Sequence, residues 1–134
     1  MWYYIGGDEK MDINNINILS LAYLGDSVYE LKIRTYLVNT GIYKVNKLQS
    51  KALDYVTAKK QCEFINKMID NNILSEDEIA IVKRGRNAKV YSHPKSTDIL
   101  TYKWATSLEC LFGYLYLLKK EERIEELIKY ILEG

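Results

Sequence analysis

At 134 residues, with 48% hydrophobic and 28% charged residues and a single Pro, the chain is long enough for one ordinary core. It is too apolar to be disordered or fibrous. A net charge of +1 argues against nucleic-acid binding driven by total charge, and leaves room for a local basic patch.

No apolar run reaches the roughly 18 residues of a membrane span, so no membrane partner is expected. The start, MWYYIGGDEK, lacks the basic-then-apolar pattern of a signal peptide. Cys62 and Cys110 lie far apart and match no metal spacing. They read as buried packing residues that stay reduced, which points to the cytoplasm.

Taken in chain order, apolar residues recur with helical period and no clear strand alternation. This predicts an all-α helical bundle, with residues 1–134 forming a single domain. Residues up to about 11 read as a disordered or extended start. A long helix is expected over Ile16 to Asn39, stopped by Asn39-Thr40-Gly41. A short helix begins near Val45. The next runs from Ser50 to Asn71, carries Leu53, Val56, Cys62, Ile65, Met68 and Ile69, and is broken by Asn71-Asn72. Ser75-Glu76-Asp77-Glu78 is a helix start, with Ser75 as N-cap and Glu78 closing a capping box. That helix continues to about Arg84. Residues Gly85 to Ser96 read as an extended loop. Ser96-Thr97-Asp98 then caps a helix from Ile99 to Lys119, and a last helix covers Glu122 to Leu132.

Two of these helices are apolar nearly all round: LSLAYLGDSVYELKIRTYL (19–37) and the CLFGYLYLL stretch of the fifth. A small bundle cannot easily hide both, so a homodimer built around them is expected. The alternative is a monomer with one fully central helix.

Asp26 and Glu109 are the two acids set in apolar helical surroundings. A carboxylate there needs a counter-ion, a metal or a solvent-filled cleft. Gly25 and Gly113 are neighbours of these acids and would allow close helix approach, so the two carboxylates could converge. Two convergent hard oxygens suit Mg²⁺, whose octahedron is completed by water and substrate phosphate. The other reading pairs each acid with a Lys or Arg. Glu30 precedes Arg34 by four residues, the favourable order for a structural ion pair, with an outer-shell metal role as the alternative.

The segment KRGRNAKVYSHPK is basic, and no acid falls between Lys83 and Thr97. Arg presents a planar fork to phosphate, and Gly85 would allow a tight loop carrying backbone donors. Lys83, Arg84, Arg86, Asn87 and Lys89 are the candidate nucleic-acid contacts, set against a merely solvated loop. Lys59 is a further basic candidate on a face that could equally be plain solvent. The spacing matches no Walker loop. His93, the single histidine, reads as a loop residue.

Four segments together resemble the Mini-ribonuclease III family, compact ribonuclease III relatives without a separate double-stranded-RNA-binding domain. They are LAYLGDSVYE (21–30), VTAKKQCE (56–63), KRGRNAK followed by PKSTD (83–98), and ATSLECLFGYLYL (105–117). The resemblance implies a ribonuclease III-type all-helical domain, a homodimer, and Mg²⁺-dependent hydrolysis of double-stranded RNA. It further implies maturation of the large-subunit (23S) ribosomal RNA precursor. Asp26 and Glu109 match the family's metal-binding, catalytic carboxylates. Larger ribonuclease III enzymes carry a Glu where this chain has Ala22 and an Asp where it has Thr106. The losses imply one weakly held Mg²⁺ per centre. The rival readings are a non-catalytic double-stranded-RNA-binding module on the same fold, and a helical protein-interaction adaptor.

Overall fold

The computed structural model describes residues 2–6, 9–90 and 92–134, without the side chains of 4–6 and 9–11. Two short strands, β1 (Trp2–Gly6) and β2 (Glu9–Asp12), open it. They pair antiparallel, Trp2 opposite Asp12 and Tyr3 opposite Met11. A 3-10 turn, Ile13–Asn15, leads into six helices. These are α1 (Ile18–Asn39), α2 (Val45–Val56), α3 (Ala58–Asp70), α4 (Glu76–Arg86), α5 (Ile99–Leu117) and α6 (Glu121–Glu133). The architecture is a helical bundle, as the periodicity predicts. The extended start is an ordered ribbon where it is described, consistent with the β-forming run Trp2-Tyr3-Tyr4-Ile5.

Local chemistry sets the helix ends. Asn17 caps α1 by accepting from the Leu19 N–H at 2.8 Å, and Gly41, at φ 92°, follows its end. Ser75 and Glu78 form the expected capping box at α4. Asp98 caps α5 through the Thr101 N–H at 2.9 Å. Asn72 and Lys119, both at positive φ, turn the chain out of α3 and α5.

Two boundaries differ from the sequence reading. The helix expected over Ser50 to Asn71 is two helices, divided at Thr57. Thr57 has extended backbone, and its hydroxyl accepts from the Lys60 N–H at 3.2 Å, so it ends α2 and caps α3. The buried Tyr29 hydroxyl donates to the Tyr55 carbonyl at 2.7 Å and pins the break to α1. The second difference is that α4 runs on to Arg86. Gly85 is therefore inside a helix, not in a tight loop. A Cβ there would lie 2.9 Å from Cys110 Sγ and 3.0 Å from Ser107 Cα, so Gly85 serves close packing of α4 on α5.

The core is centred on α5, which is buried continuously from Ala105 to Cys110 except at Glu109, and again from Leu111 to Leu115. Around it pack α1, α3, α4 and α6. Leu21, Tyr29, Ile33, Ile65, Leu108, Leu111, Phe112 and Ile124 fill the interior. Tyr29 and Phe112 meet with ring centroids 5.3 Å apart. Glu78, 5% exposed, receives two hydrogen bonds from Arg123, at 2.8 and 2.9 Å. That pairing ties α6 to the start of α4 and satisfies a charge that would otherwise be costly to bury. By contrast α2 buries no residue fully and lies against α1 through Leu48, Ala52, Tyr55 and Val56.

Candidate active site

α1 and α5 make the most extensive helix contact of the fold, and they touch backbone to backbone. A Cβ on Gly25 would lie 1.6 Å from the Glu109 carbonyl oxygen and 2.7 Å from the Gly113 nitrogen. One on Gly113 would lie 2.1 Å from the Leu21 oxygen. The two glycines thus remove the atoms that would hold the helices apart, and the carboxylates beside them converge. Asp26 and Glu109 line one cleft of about 340 Å³.

The two acids are not equally buried. Asp26 is exposed at the cleft, whereas Glu109 is half-buried. The apolar surroundings expected for Asp26 are therefore confined to its sequence neighbours. Its side chain faces solvent because α1 leaves this edge uncovered. Burial pushes the Glu109 carboxyl up to about 9, aided by its hydrogen bond with Asp26 and the negative charges of Asp26 and Glu30. The amide of Gln61 on α3 acts weakly the other way.

Such a pair of carboxylates fits a divalent cation. Two hard oxygen donors lie side by side, and the repulsion between them is what a cation would relieve. Among the described residues no group of three or more His, Cys, Asp or Glu converges to form a denser site. Ala22 and Thr106 line this same cleft, so the two residues that stand in place of acids do so at the site itself. Glu30 makes the expected ion pair with Arg34 at 3.0 Å while still acting on Glu109 through its charge.

The basic candidates separate. Lys89 lines the carboxylate cleft. Lys83 is exposed on the last turn of α4, and Asn87 is that helix's C-cap. The Arg86 guanidinium lies over the Trp104 ring at 5.0 Å and donates from Nε to Asn87 Oδ1 at 3.3 Å. Arg84 is half-buried and donates from Nη2 to the Ile16 carbonyl at 3.3 Å, so it fastens the approach to α1. His93 is exposed, with its ring 6.3 Å from that of Tyr102. Tyr91 lies outside the described residues. Lys59 is exposed on α3 and does not line the cleft.

Several cleft residues escaped the sequence reading. Tyr23 is 85% exposed on α1, and Tyr102 and Ser92 form the facing wall. The spacing Tyr102, Thr106, Glu109 places one face of α5 in the cleft and could have revealed Tyr102. Gln61 carried no signal beyond its place in the first turn of a helix whose start was not anticipated.

Comparison with known proteins identifies the family and the fold. The sequence profile of the ribonuclease III domain matches residues 19–120. The chain is 44% identical to Mini-ribonuclease 3 of Enterococcus faecalis over 122 residues, covering 91% of this chain and 92% of that one. Identity to Mini-ribonuclease 3 of Clostridium tetani is 42% over 132 residues, covering 97% and 86%. A crystal structure of a Fusobacterium nucleatum protein superposes with a TM-score of 0.83 at 39% identity, covering 92% of this chain and 99% of that one. With the ribonuclease III profile spanning both carboxylate helices, and relatives alike over nearly their whole length, the chain belongs to the Mini-ribonuclease 3 branch of the ribonuclease III nuclease family.

Proposed function

We propose that this protein is an endoribonuclease that cleaves double-stranded RNA by Mg²⁺-assisted phosphodiester hydrolysis. Its proposed substrate is the base-paired stem of the large-subunit (23S) ribosomal RNA precursor. The observation that carries this reading is the contact of Gly25 with the Glu109 backbone, which sets two carboxylates side by side in an open cleft. Residues 1–134 would form one catalytic domain acting in the cytoplasm. Among the described residues no helix is long and apolar enough to cross a membrane.

Asp26 and Glu109 would hold the cation. Bound there, it supplies an activated water and neutralises charge developing on the phosphate. Asp26, at the solvent-facing side, meets the incoming backbone. Glu109, deeper, would have to give up its proton to hold the cation, so binding at neutral pH should release protons. Lys89 would hold a phosphate within the cleft, with Lys83, Arg86 and Asn87 extending the contact along the end of α4. Arg84 contributes by keeping α1 in place as well as by its charge. Duplex RNA is read mainly by shape, phosphates and 2′-hydroxyls, so no base-reading element is needed. Incubating the purified protein with duplex RNA, with and without Mg²⁺, tests the reading. Cleavage only with Mg²⁺ supports it, and no cleavage under either condition would overturn it.

The basic residues carry their own expectation. Replacing Lys83, Arg86 or Lys89 with Ala should weaken binding of all duplex sequences alike. Each loss should flatten the salt dependence of log K by somewhat under about one unit. Anisotropy titrations with Ca²⁺ in place of Mg²⁺ would show it. An unchanged slope in the Arg84→Ala, Arg86→Ala double variant would remove the two arginines from the contact.

A homodimer is also proposed. α1 leaves Tyr23, Leu31 and Val38 exposed, and beside it a groove of about 310 Å³ is lined by Leu37, Val38, Val45, Leu48, Ala52 and Val56. A second copy would cover this apolar surface and place two active centres on one duplex, one per strand. Light scattering at micromolar concentration should give twice the chain mass, and a monomer mass would contradict it. A second reading, a non-catalytic double-stranded-RNA-binding module, draws on Ala22 and Thr106, which leave the cleft with fewer acids. The Mg²⁺ assay separates the two.

A further inference from the structure

Arg86 is held on two sides, and neither holder is an acid. Its guanidinium carbon lies 5.0 Å from the centre of the Trp104 ring, and its Nε–H donates to Asn87 Oδ1 at 3.3 Å. Both placements come from the end of α4. Asn87 is the C-cap, with its own N–H on the Lys83 carbonyl at 3.0 Å. Gly85 brings α4 down on Ser107, whose hydroxyl donates to the Trp104 carbonyl at 2.6 Å. Arg86 follows directly after that contact, and its side chain lies on the half-buried indole.

The other three arginines use their terminal nitrogens inside the protein. Arg34 Nη2 is on Glu30 at 3.0 Å, Arg84 Nη2 on the Ile16 carbonyl at 3.3 Å, and Arg123 Nη2 on Glu78 at 2.8 Å. Among the described residues, Arg86 Nη1 and Nη2 have no protein acceptor. No acid falls between Lys83 and Thr97, and the next, Asp98, is used by the Thr101 N–H and hydroxyl. A guanidinium stacked on an indole loses rotamer freedom and keeps its outward N–H groups. The result is a preset fork, the geometry that an oxyanion fills bidentately.

The fork is not part of the carboxylate cleft. Tyr102, Thr106 and Glu109 face the cleft from α5. Trp104 is two residues from both Tyr102 and Thr106, which turns it to the far side of the helix. A helix is about 10–12 Å across with its side chains, so the fork lies roughly one helix width from the carboxylates.

We propose that Trp104 is a positioning residue for RNA, holding the Arg86 guanidinium as a preset fork for a backbone phosphate of the duplex outside the cleft. This rests on the reading of the protein as a nuclease of double-stranded RNA. Phosphate is the occupant because Lys83 and Lys89, both exposed, carry the same sign on either side of Arg86, and a duplex presents phosphates beyond the scissile one.

Trp104→Leu keeps an apolar side chain and removes the ring face. Anisotropy titration with duplex RNA, with Ca²⁺ in place of Mg²⁺, should show binding about 3–10-fold weaker than wild type. The salt dependence of log K should flatten, as in Arg86→Ala but by less. Trp104→Tyr keeps a ring face and should restore most of the affinity. In the Arg86→Ala background Trp104→Leu should cost nothing further, because no fork is left to hold. Arg86→Lys keeps the charge without the planar fork and should also weaken binding by at least about threefold; it carries the test should Trp104→Leu not fold. A loss under about threefold in folded Trp104→Leu or in Arg86→Lys would overturn the proposal. So would no recovery in Trp104→Tyr, or an equal loss with and without Arg86, which marks packing alone. Wild type that binds no duplex RNA would overturn the nuclease reading and the proposal with it. Wild-type binding that is unchanged in the Trp104 and Arg86 variants would overturn only the fork.

Discussion

Asp26→Asn and Glu109→Gln are each expected to lower cleavage of duplex RNA by on the order of 10³-fold or more, about 4 kcal/mol in the barrier. Both should leave the helical circular-dichroism signal and RNA binding intact. Neither change adds volume, and both remove a ligand charge. Glu109→Gln has a second consequence that separates a site residue from a structural one. The Glu109 carboxyl is pushed from 4.5 up to about 9, by burial first and then by Asp26. In the metal-free fold it therefore favours its neutral form. A raised acid contributes stability that is full below its ordinary value and is lost as pH rises through its folded value. Metal-free wild type should lose stability between about pH 4.5 and 9, and Glu109→Gln should lack that slope. Thermal melts in chelator at pH 5 and 9 give the comparison. Substantial residual cleavage by either variant would take that residue out of the metal site.

The site was legible because its geometry is written in glycines. Gly25 and Gly113 each weaken a helix, and such positions make sense only where another backbone approaches. Each adjoins or faces an acid, so residue types alone allowed the convergence of Asp26 and Glu109 but did not decide it against pairing of each acid with a Lys or Arg. The capping box at Ser75 and the cap at Asp98 were equally local, which is why α4 and α5 begin where the sequence places them. What the sequence hid is non-local. Thr57 divides a continuous run of helix-compatible residues, and a cap inside such a run is recognisable only when the two halves pack differently. The burial of Gln61 follows from that division. Gly85 and Arg86 read as the start of a loop because Gly85 resembles a turn residue. The packing of Gly85 on Ser107 and Cys110 is what keeps α4 helical through Arg86. The strands escaped because the first residues are few and their pairing partners are each other.

The basic run divides for a reason that is equally non-local. Arg84 and Arg86 are chemically alike and two residues apart, yet one is spent partly on the Ile16 carbonyl and the other lies on Trp104. Residues two apart on a helix face different directions, so a run of basic residues at a helix end divides between fold and surface. Arg86→Lys is accordingly not conservative, since an ammonium lacks the planar group that stacks on the indole.

Gly25→Ala is the substitution in which fold and function should fail together. Helix propensity alone favours alanine by about 0.5–1 kcal/mol. Against this, the new Cβ would meet the Glu109 carbonyl oxygen at 1.6 Å and its carbon at 2.6 Å. These are main-chain atoms inside α5 and cannot rotate aside, so α1 and α5 must separate. Overpacking of this kind costs about 1–3 kcal/mol or more, which outweighs the propensity gain and should lower the melting temperature by roughly 5–15 °C. The same separation moves Asp26 away from Glu109, and a displacement near 1 Å can cost about 10²-fold in rate. Gly113→Ala, meeting the Leu21 oxygen at 2.1 Å, should behave similarly. Gly85→Ala meets the Cys110 side chain at 2.9 Å and should cost less. Gly41→Ala has nothing within 4 Å but a φ of 92°, so it should cost about 1 kcal/mol of stability and no activity in the folded protein. Melting curves and single-turnover cleavage of the four variants give the order directly. Gly25→Ala as stable and as active as wild type would show that the two helices are not in backbone contact, and the convergence of the carboxylates would lose its cause.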